Sequence, residues 1–388
     1  MARRKPAPAK QKAKRVRKKP EKAKRAAPRK KENTASTEKG GAASNRGEEA
    51  HPHRQKTFVS ACIPAYNGEK YVGETIRSLL AQDYDNYEVV LIDNASTDST
   101  GKIAKSFKDS RLRYVRYNTL APHQENWGRS FEAAKGECVC ICHADDTYEK
   151  DYVSKCAAYL DAHPSSVAVF SAATTISPKG GRIGKILRPA SLPKVISHDE
   201  LALFCAHEGY FPLVCPSFCV RADAAKKCGN FNGKLKFAFD MDYYFRLLEY
   251  GRLGFLEERL VNYRQHPAQG SVNLNDTTDT QAEFFSILER ELAKGGIKLT
   301  PPERRKLDSY RRWGRTIDAV SCARFGKMKE AFRASRDSFS ILDALIGFPS
   351  PRFLFRGAFS FAFLISLCLR LGKPFADAVF YYKRMKRA

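Results

Sequence analysis

The chain has 388 residues, 43% of them hydrophobic, which allows one large domain or two with a substantial core. Its net charge is +26, and more than half of that excess lies in the first 54 residues, which hold 19 Lys/Arg against five Asp/Glu. Eleven cysteines, odd in number and scattered, exclude a tight disulfide framework and are read as reduced cytosolic thiols.

Residues 1–55 contain no Leu, Ile or Phe. Such a segment cannot bury enough apolar area to offset its ordering entropy, so it is expected to be a disordered basic tail. No apolar run follows the charges, so it does not read as a secretory signal. Its bland reading is a solvated tail; its sharper one is attraction to an anionic surface, membrane lipid or nucleic acid. Aromatic residues are not interleaved with the charges, so base stacking is not suggested.

From Thr57 the pattern changes. TFVSACI, ended by Pro64, predicts a buried strand. Val72, Ile76, Leu79 and Leu80 form a helical stripe within Tyr71–Ala81. Strands at Tyr87–Ile92, Leu112–Arg116 and Glu137–Cys142 alternate with helices at Ser99–Lys108 and Gln124–Lys135. That rhythm argues for a parallel sheet covered on both faces, with ligands at the carboxyl ends of its strands. The loops at those ends are Pro64–Glu69, Asp93–Asp98 and His143–Asp146, all rich in carboxylates or turn residues. Cys138, Cys140 and Cys142 would share one strand face about 7 Å apart, as small core residues. Further on, the sequence predicts a helix to about Asp161, a strand at Val167–Phe170 and a hairpin around Pro178–Gly181. Helices are expected over 276–294, 303–323 and 327–341. The apolar run Gly357–Leu369 is too short to span a bilayer and reads as a packed helix, or as an interfacial one beside the basic C-terminus.

Several carboxylates stand where chemistry is expected. Adjacent Asp145 and Asp146 repel unless a cation or hydrogen bonds offset the charge, and a hard divalent ion is the usual partner. They also suit the N-terminus of the next helix. Asp98, Ser96 or Thr97 is suited to cap the helix that follows them. Asp240 and Asp242 open a helix, where an N-cap and an Asp242–Arg246 pair are the structural alternative. His266 stands alone after a strand, and a lone His is more often structural than a ligand.

Taken together these pieces resemble the family 2 glycosyltransferases. The resemblance runs through VSACIPAYNGEKYVGETIRSLLAQDYDNYEVVLIDNASTDST, Asn126-Trp127, Ala134-Lys-Gly-Glu137 and His143-Ala-Asp-Asp146. A weaker second block is FAFDMDYYFRL followed by LVNYRQHPAQGSV. The resemblance implies an α/β fold of GT-A type, a Rossmann-like mixed sheet flanked by helices, over residues 56–272. A helical extension, associated with a membrane surface in one reading, would occupy 273–388. It further implies that Pro64, Ala65, Tyr66, Asn67 and Glu69 cup the nucleoside and that Asp93 accepts from the base. Asp145 and Asp146 would hold ribose and a Mg²⁺ or Mn²⁺ ion on the diphosphate, with His266 near the metal. Asp240 would be the general base, with Asp242 its competitor. Two positions depart from the family pattern: His143 stands where relatives have Asp, and Phe239 precedes Asp240 where relatives have Glu.

The implied activity is inverting, metal-dependent transfer from a nucleotide-diphosphate sugar, UDP-linked by preference, to a glycan or lipid-linked acceptor. Cytoplasmic work at the inner membrane face, in envelope or extracellular polysaccharide synthesis, is the expected setting. Two other classes stay open on sequence. A nucleotidyltransferase also uses paired acids, but Pro64–Gly68 lacks a Gly-rich loop with a basic residue. A nucleic-acid-binding protein would rest on the basic tail alone.

Overall fold

The computed structural model describes residues 56–187, 189, 191–269, 280–338, 351–369 and 371–385; the basic tail and the ends of two expected helices, 276–279 and 339–341, lie outside them. The first four strands are β1 (Val59–Ala65), β2 (Tyr87–Asn94), β3 (Leu112–Tyr117) and β4 (Cys138–Ile141). They lie parallel in the order β3-β2-β1-β4, as the strand–helix rhythm predicts. Register places Ala61 beside Val89 and Cys140, and Ile63 beside Leu91.

Alternate residues of these strands enter two separate cores. Ala61, Ile63, Val89, Leu91, Cys138 and Cys140 pack with helices α1 (Val72–Leu80) and α4 (Tyr152–Ala162). Cys62, Val90, Ile92, Val139 and Ile141 face the opposite side with α3 (His123–Ala133). Burial on both faces explains why β1, β2 and β4 read as continuous apolar runs. All eleven cysteines are free thiols, and Cys138, Cys140 and Cys142 are buried in one core.

The sheet then becomes mixed. A short strand, β9 (Cys219–Arg221), pairs antiparallel with β4 on one side and β6 (Ser166–Ile176) on the other. β6 forms the expected hairpin with β7 (Arg182–Leu187). It also runs parallel to β10 (Arg252–Arg264), whose far edge carries β5 (Thr147–Tyr148) and β8 (Val195–Ile196). The remaining helices of this part are α2 (Thr100–Ser106), α5 (His198–Glu208), α6 (Ala222–Cys228) and α7 (Phe239–Leu247). Beyond the sheet run α8 (Thr280–Lys294), α9 (Pro301–Arg324), α10 (Met328–Ser338), α11 (Pro351–Cys368) and α12 (Gly372–Met385). Helix α9 opens on a capping box in which Thr300 and Glu303 satisfy each other's backbone N–H. The last four helices share a small core of Ala319, Val320, Ala323, Ala331, Phe363 and Leu367. No helix among the described residues is long and apolar enough to cross a membrane.

The turn Ala134-Lys-Gly-Glu137 shows how a sequence block becomes a fixed geometry. Ser60 Oγ accepts from the N–H groups of Lys135 (3.0 Å) and Gly136 (2.8 Å), and itself donates to Glu88 Oε1 (2.7 Å). Residue 136 therefore sits hard against β1. A Cβ there would lie 2.6 Å from Ser60 N and 2.8 Å from Phe58 O, both backbone atoms. Gly136→Ala is expected to lower stability by about 1–3 kcal/mol. Gly233→Ala, with nothing within 4 Å of the added carbon, should stay within about 0.5 kcal/mol of the parent. Denaturant midpoints of the two variants check the contrast.

Candidate active site

The carboxyl ends of β1, β2, β4 and β10 open into one cavity of about 1420 Å³. Two loops build its first wall. After β1, the backbone N–H groups of Asn67, Gly68 and Glu69 donate to Ser96 Oγ (3.0 Å), Thr100 Oγ1 (2.8 Å) and Asp98 Oδ2 (2.9 Å). In return Asn67 Oδ1 and Glu69 Oε2 accept from the N–H groups of Thr97 and Ser99, each at 2.9 Å. The two loops thus satisfy one another's backbone groups, and Glu69 from the opposite loop serves the start of α2. Asn67 and Ala95 hold left-handed backbone, φ 49° and 58°, one on each loop. Asn tolerates that conformation; Ala95 is strained there and is held by the clasp. Pro64, Tyr66 and Asn67 line the cavity, whereas Ala65 is buried at the strand end and Glu69 is occupied by Ser99.

Asp93, next to last in β2, is fully buried. Its Oδ1 accepts from Ser96 N–H (2.8 Å) and its Oδ2 from Tyr114 Oη and Arg116 Nη1, both at 2.6 Å. Burial alone would raise this carboxyl, but the donors from Ser96, Tyr114 and Arg116 outweigh it and hold it below the usual range. Both oxygens are engaged by the protein, and the neighbouring Asn94 lines the cavity instead.

The turn after β4 presents the paired acids. Asp146 is fully buried; its Oδ1 accepts from Arg264 N–H at 2.7 Å, and its Oδ2 has no hydrogen-bond partner among the described residues. Asp145 reaches the cavity, and its Oδ2 stands 2.9 Å from His266 Nε2. Burial and the charge of Asp145 push Asp146 well up. Burial also works to raise Asp145, yet the His266 hydrogen bond and the nearby imidazoles hold it down. His143 completes the turn, its Nδ1 3.8 Å from Asp146 Oδ2. One ligand atom from each of His143, Asp145 and Asp146 lies within 4.8 Å of the others. Of the three residues expected near a metal, Asp145 and His266 both line the cavity and touch each other, while Asp146 is buried beneath the turn.

The guanidinium of Arg264 holds this turn in place. It donates from Nε to Asp145 O and from Nη2 to Glu74 on α1, both at 2.7 Å, and lies over the Tyr71 ring at 4.6 Å. Nothing in the sequence pattern marks Arg264, because its partners are up to 190 residues away.

Across the cavity, Asp240 sits in the first turn of α7, half-buried and facing the open space. Burial raises its pKa to about 6. Asp242 points the other way and is closed off by Arg246 Nε (3.0 Å) and Arg290 Nη1 (2.8 Å). The N-cap residue Ala238 has no side chain to cap α7; Asp240 Oδ1 accepts from Met241 N–H at 2.7 Å, and Glu283 on α8 holds the segment leading in, accepting from Lys236, Phe237 and Ala238 N–H at 2.8–2.9 Å. Sequence reading missed Glu283, since a lone Glu on a polar helix face carries no signal. Glu283→Ala removes the acceptor for three N–H groups. It is expected to cost about 2 kcal/mol and to speed hydrogen exchange at amides 236–238, measured by mass spectrometry, with little change at the Ser60–Gly136 turn.

Comparison with known proteins agrees with this geometry. The sequence model of glycosyl transferase family 2 matches residues 60–201. An uncharacterized glycosyltransferase of Rickettsia felis is 28% identical over 246 residues, 61% of this chain and 39% of that protein. Poly(ribitol-phosphate) beta-N-acetylglucosaminyltransferase TarS of Staphylococcus aureus is 32% identical over 113 residues, 28% of this chain and 20% of that one. The chain therefore spans only a minor part of either relative. The crystal structure of TarS 1–349 in complex with UDP-GlcNAc superposes with a TM-score of 0.51 at 17% identity, covering 84% of this chain and 92% of that one. At that identity the likeness is one of fold, the GT-A fold of a mixed sheet flanked by helices. The sequence match to glycosyl transferase family 2 thus lies within residues 60–201, and the wider likeness is that of the GT-A fold.

Proposed function

We propose that the protein transfers a sugar from a nucleotide-diphosphate sugar, UDP-linked by preference, to a hydroxyl group of a glycan or lipid-linked acceptor, with inversion at the anomeric carbon. The observation that carries this reading is one cavity with the Asp145–Asp146 turn on one wall and Asp240 on another. Tyr66 and Asn67, beside Pro64, supply the nucleoside end. Asp93 serves that end from behind, by fixing Ser96 and Arg116.

A divalent cation, Mg²⁺ or Mn²⁺, suits the acidic turn. The buried Asp146 Oδ2 lacks a partner there, and carboxylate oxygens match a hard ion. Asp145 and Asp146 would hold it, with His266 bracing Asp145. When bound, such an ion supplies Lewis-acid stabilisation of the charge that builds on the leaving diphosphate. Asp240 takes the proton from the attacking acceptor hydroxyl, and its raised pKa suits a base working near neutrality. Asp242, held by two guanidiniums, is the weaker candidate for that role.

In this reading the domain spans 56–272 and the segment 273–388 is an accessory whose first helix braces α7 through Glu283. Work in the cytoplasm, peripheral to the inner membrane face, fits a lipid-linked acceptor. The exposed side chains Phe361 and Ile365 on α11 and Leu369 just past its end recur every four residues and offer an apolar strip to such a surface. The relationship to TarS, whose name states transfer to poly(ribitol phosphate), supports a role in envelope polysaccharide synthesis.

The test is turnover of UDP-sugars with Mn²⁺ or Mg²⁺, read as released nucleoside diphosphate. Release of pyrophosphate instead would identify a nucleotidyltransferase and overturn the reading. Asp240→Asn should lower kcat by roughly 10²–10⁴-fold and leave UDP affinity unchanged. Because the base works ionised, kcat/KM should rise with pH through about 6 in the parent enzyme. A flat profile between pH 5 and 7 would remove Asp240 from that role.

A further inference from the structure

We infer that His143 is a direct nitrogen ligand of the divalent cation, so that this site offers one imidazole and two carboxylates. The inference rests on the metal reading above and adds to it a residue that departs from the family pattern. Three observations carry it. First, the buried Asp146 Oδ2, the atom that the His143 ring faces, has no hydrogen-bond partner among the described residues. Unpartnered buried polar atoms are rare and call for an explanation such as an ion. Second, His143 Nδ1 faces Asp146 Oδ2 at 3.8 Å, too long for a hydrogen bond. Ligands about 2.1 Å from an octahedral ion stand about 3.0 Å apart when adjacent and about 4.2 Å when opposite. The observed gap falls between those limits, and Asp145 lies within 4.8 Å of both, so that its side chain would draw in slightly on binding. Third, the ring is already fixed. It packs against Trp127 at 5.0 Å between centroids, and its backbone N–H donates to Tyr148 Oη at 2.9 Å.

His266 differs in its partners. Its Nε2 is spent on Asp145 Oδ2 at 2.9 Å, and its ring rests on Tyr71 at 4.8 Å. That is the arrangement of an outer residue that orients a carboxylate ligand. An imidazole among the ligands favours Mn²⁺ and other transition ions over Mg²⁺, which prefers oxygen alone.

The test uses the full chain with Mn²⁺ and UDP and reads electron spin echo modulation from ¹⁴N bound to Mn²⁺. The parent protein should show coordinated-imidazole modulation. His266→Gln should retain it, and His143→Asp should lose it while still binding Mn²⁺. The Mn²⁺-over-Mg²⁺ preference in binding should fall roughly tenfold in His143→Asp. Modulation lost in His266→Gln but kept in His143→Asp would overturn the inference, as would bound Mn²⁺ without nitrogen modulation in the parent. Failure of the parent to bind Mn²⁺ at all, with UDP present, would instead bring down the metal reading itself.

Discussion

A buried guanidinium is what the acidic turn depends on. Arg264 is almost wholly excluded from solvent, an expensive position unless its donors are filled. They are filled by Asp145 O, Pro178 O and the Glu74 carboxylate, and the same residue's backbone N–H takes Asp146 Oδ1. One residue at the end of β10 thus joins α1, the turn after β4 and the β6–β7 hairpin. Without it, two adjacent carboxylates would be left with only the imidazoles of His143 and His266 beside them. With it, Asp146 is locked inward and Asp145 is left to face the cavity. A bound cation would act on the same balance and draw both carboxyls toward their ionised forms.

The other parts of the site follow the same rule: a loop at a strand end is fixed by residues distant in sequence. Five backbone N–H groups of the two loops of the first wall are taken across the gap by Asn67, Glu69, Ser96, Asp98 and Thr100 side chains. The segment leading into α7, the helix that carries Asp240, is held by Glu283 on a helix beyond the sheet. Carboxylates are used here for two purposes. Glu69, Asp93, Asp98 and Glu283 hold backbone or guanidinium groups, while Asp145 and Asp240 face the cavity.

Much of this was legible in the sequence, and the parts that were not share a cause. The four parallel strands, their helices and the three strand-end loops follow from periodicity, because burial on both faces leaves an uninterrupted apolar record. The hairpin after β6 was signalled by Pro178–Gly181. Strand β9 was not, since three residues after the Pro-broken run Phe211–Phe218 are too few to show a periodicity, although β9 is what turns a parallel sheet into a mixed one. Asp240 was legible as a helix-opening acid, but its division of labour with Asp242 depends on Arg290, which no local pattern connects to it. His143 was visible only as a substitution; its closeness to Asp146 Oδ2 needs the folded turn. Asp93 shows the reverse case. Its position at a strand end was plain, and its engagement by Tyr114 and Arg116 came from the neighbouring strand.

The most direct test of this account is a crystal structure of the protein soaked with a UDP-sugar and Mn²⁺. The account predicts an anomalous peak within bonding distance of carboxylate oxygens of Asp145 and Asp146, uracil near Tyr66 and Asn67, and the sugar directed toward Asp240. Nucleotide bound elsewhere, or bound in the cavity with its diphosphate remote from the acidic turn, would contradict it.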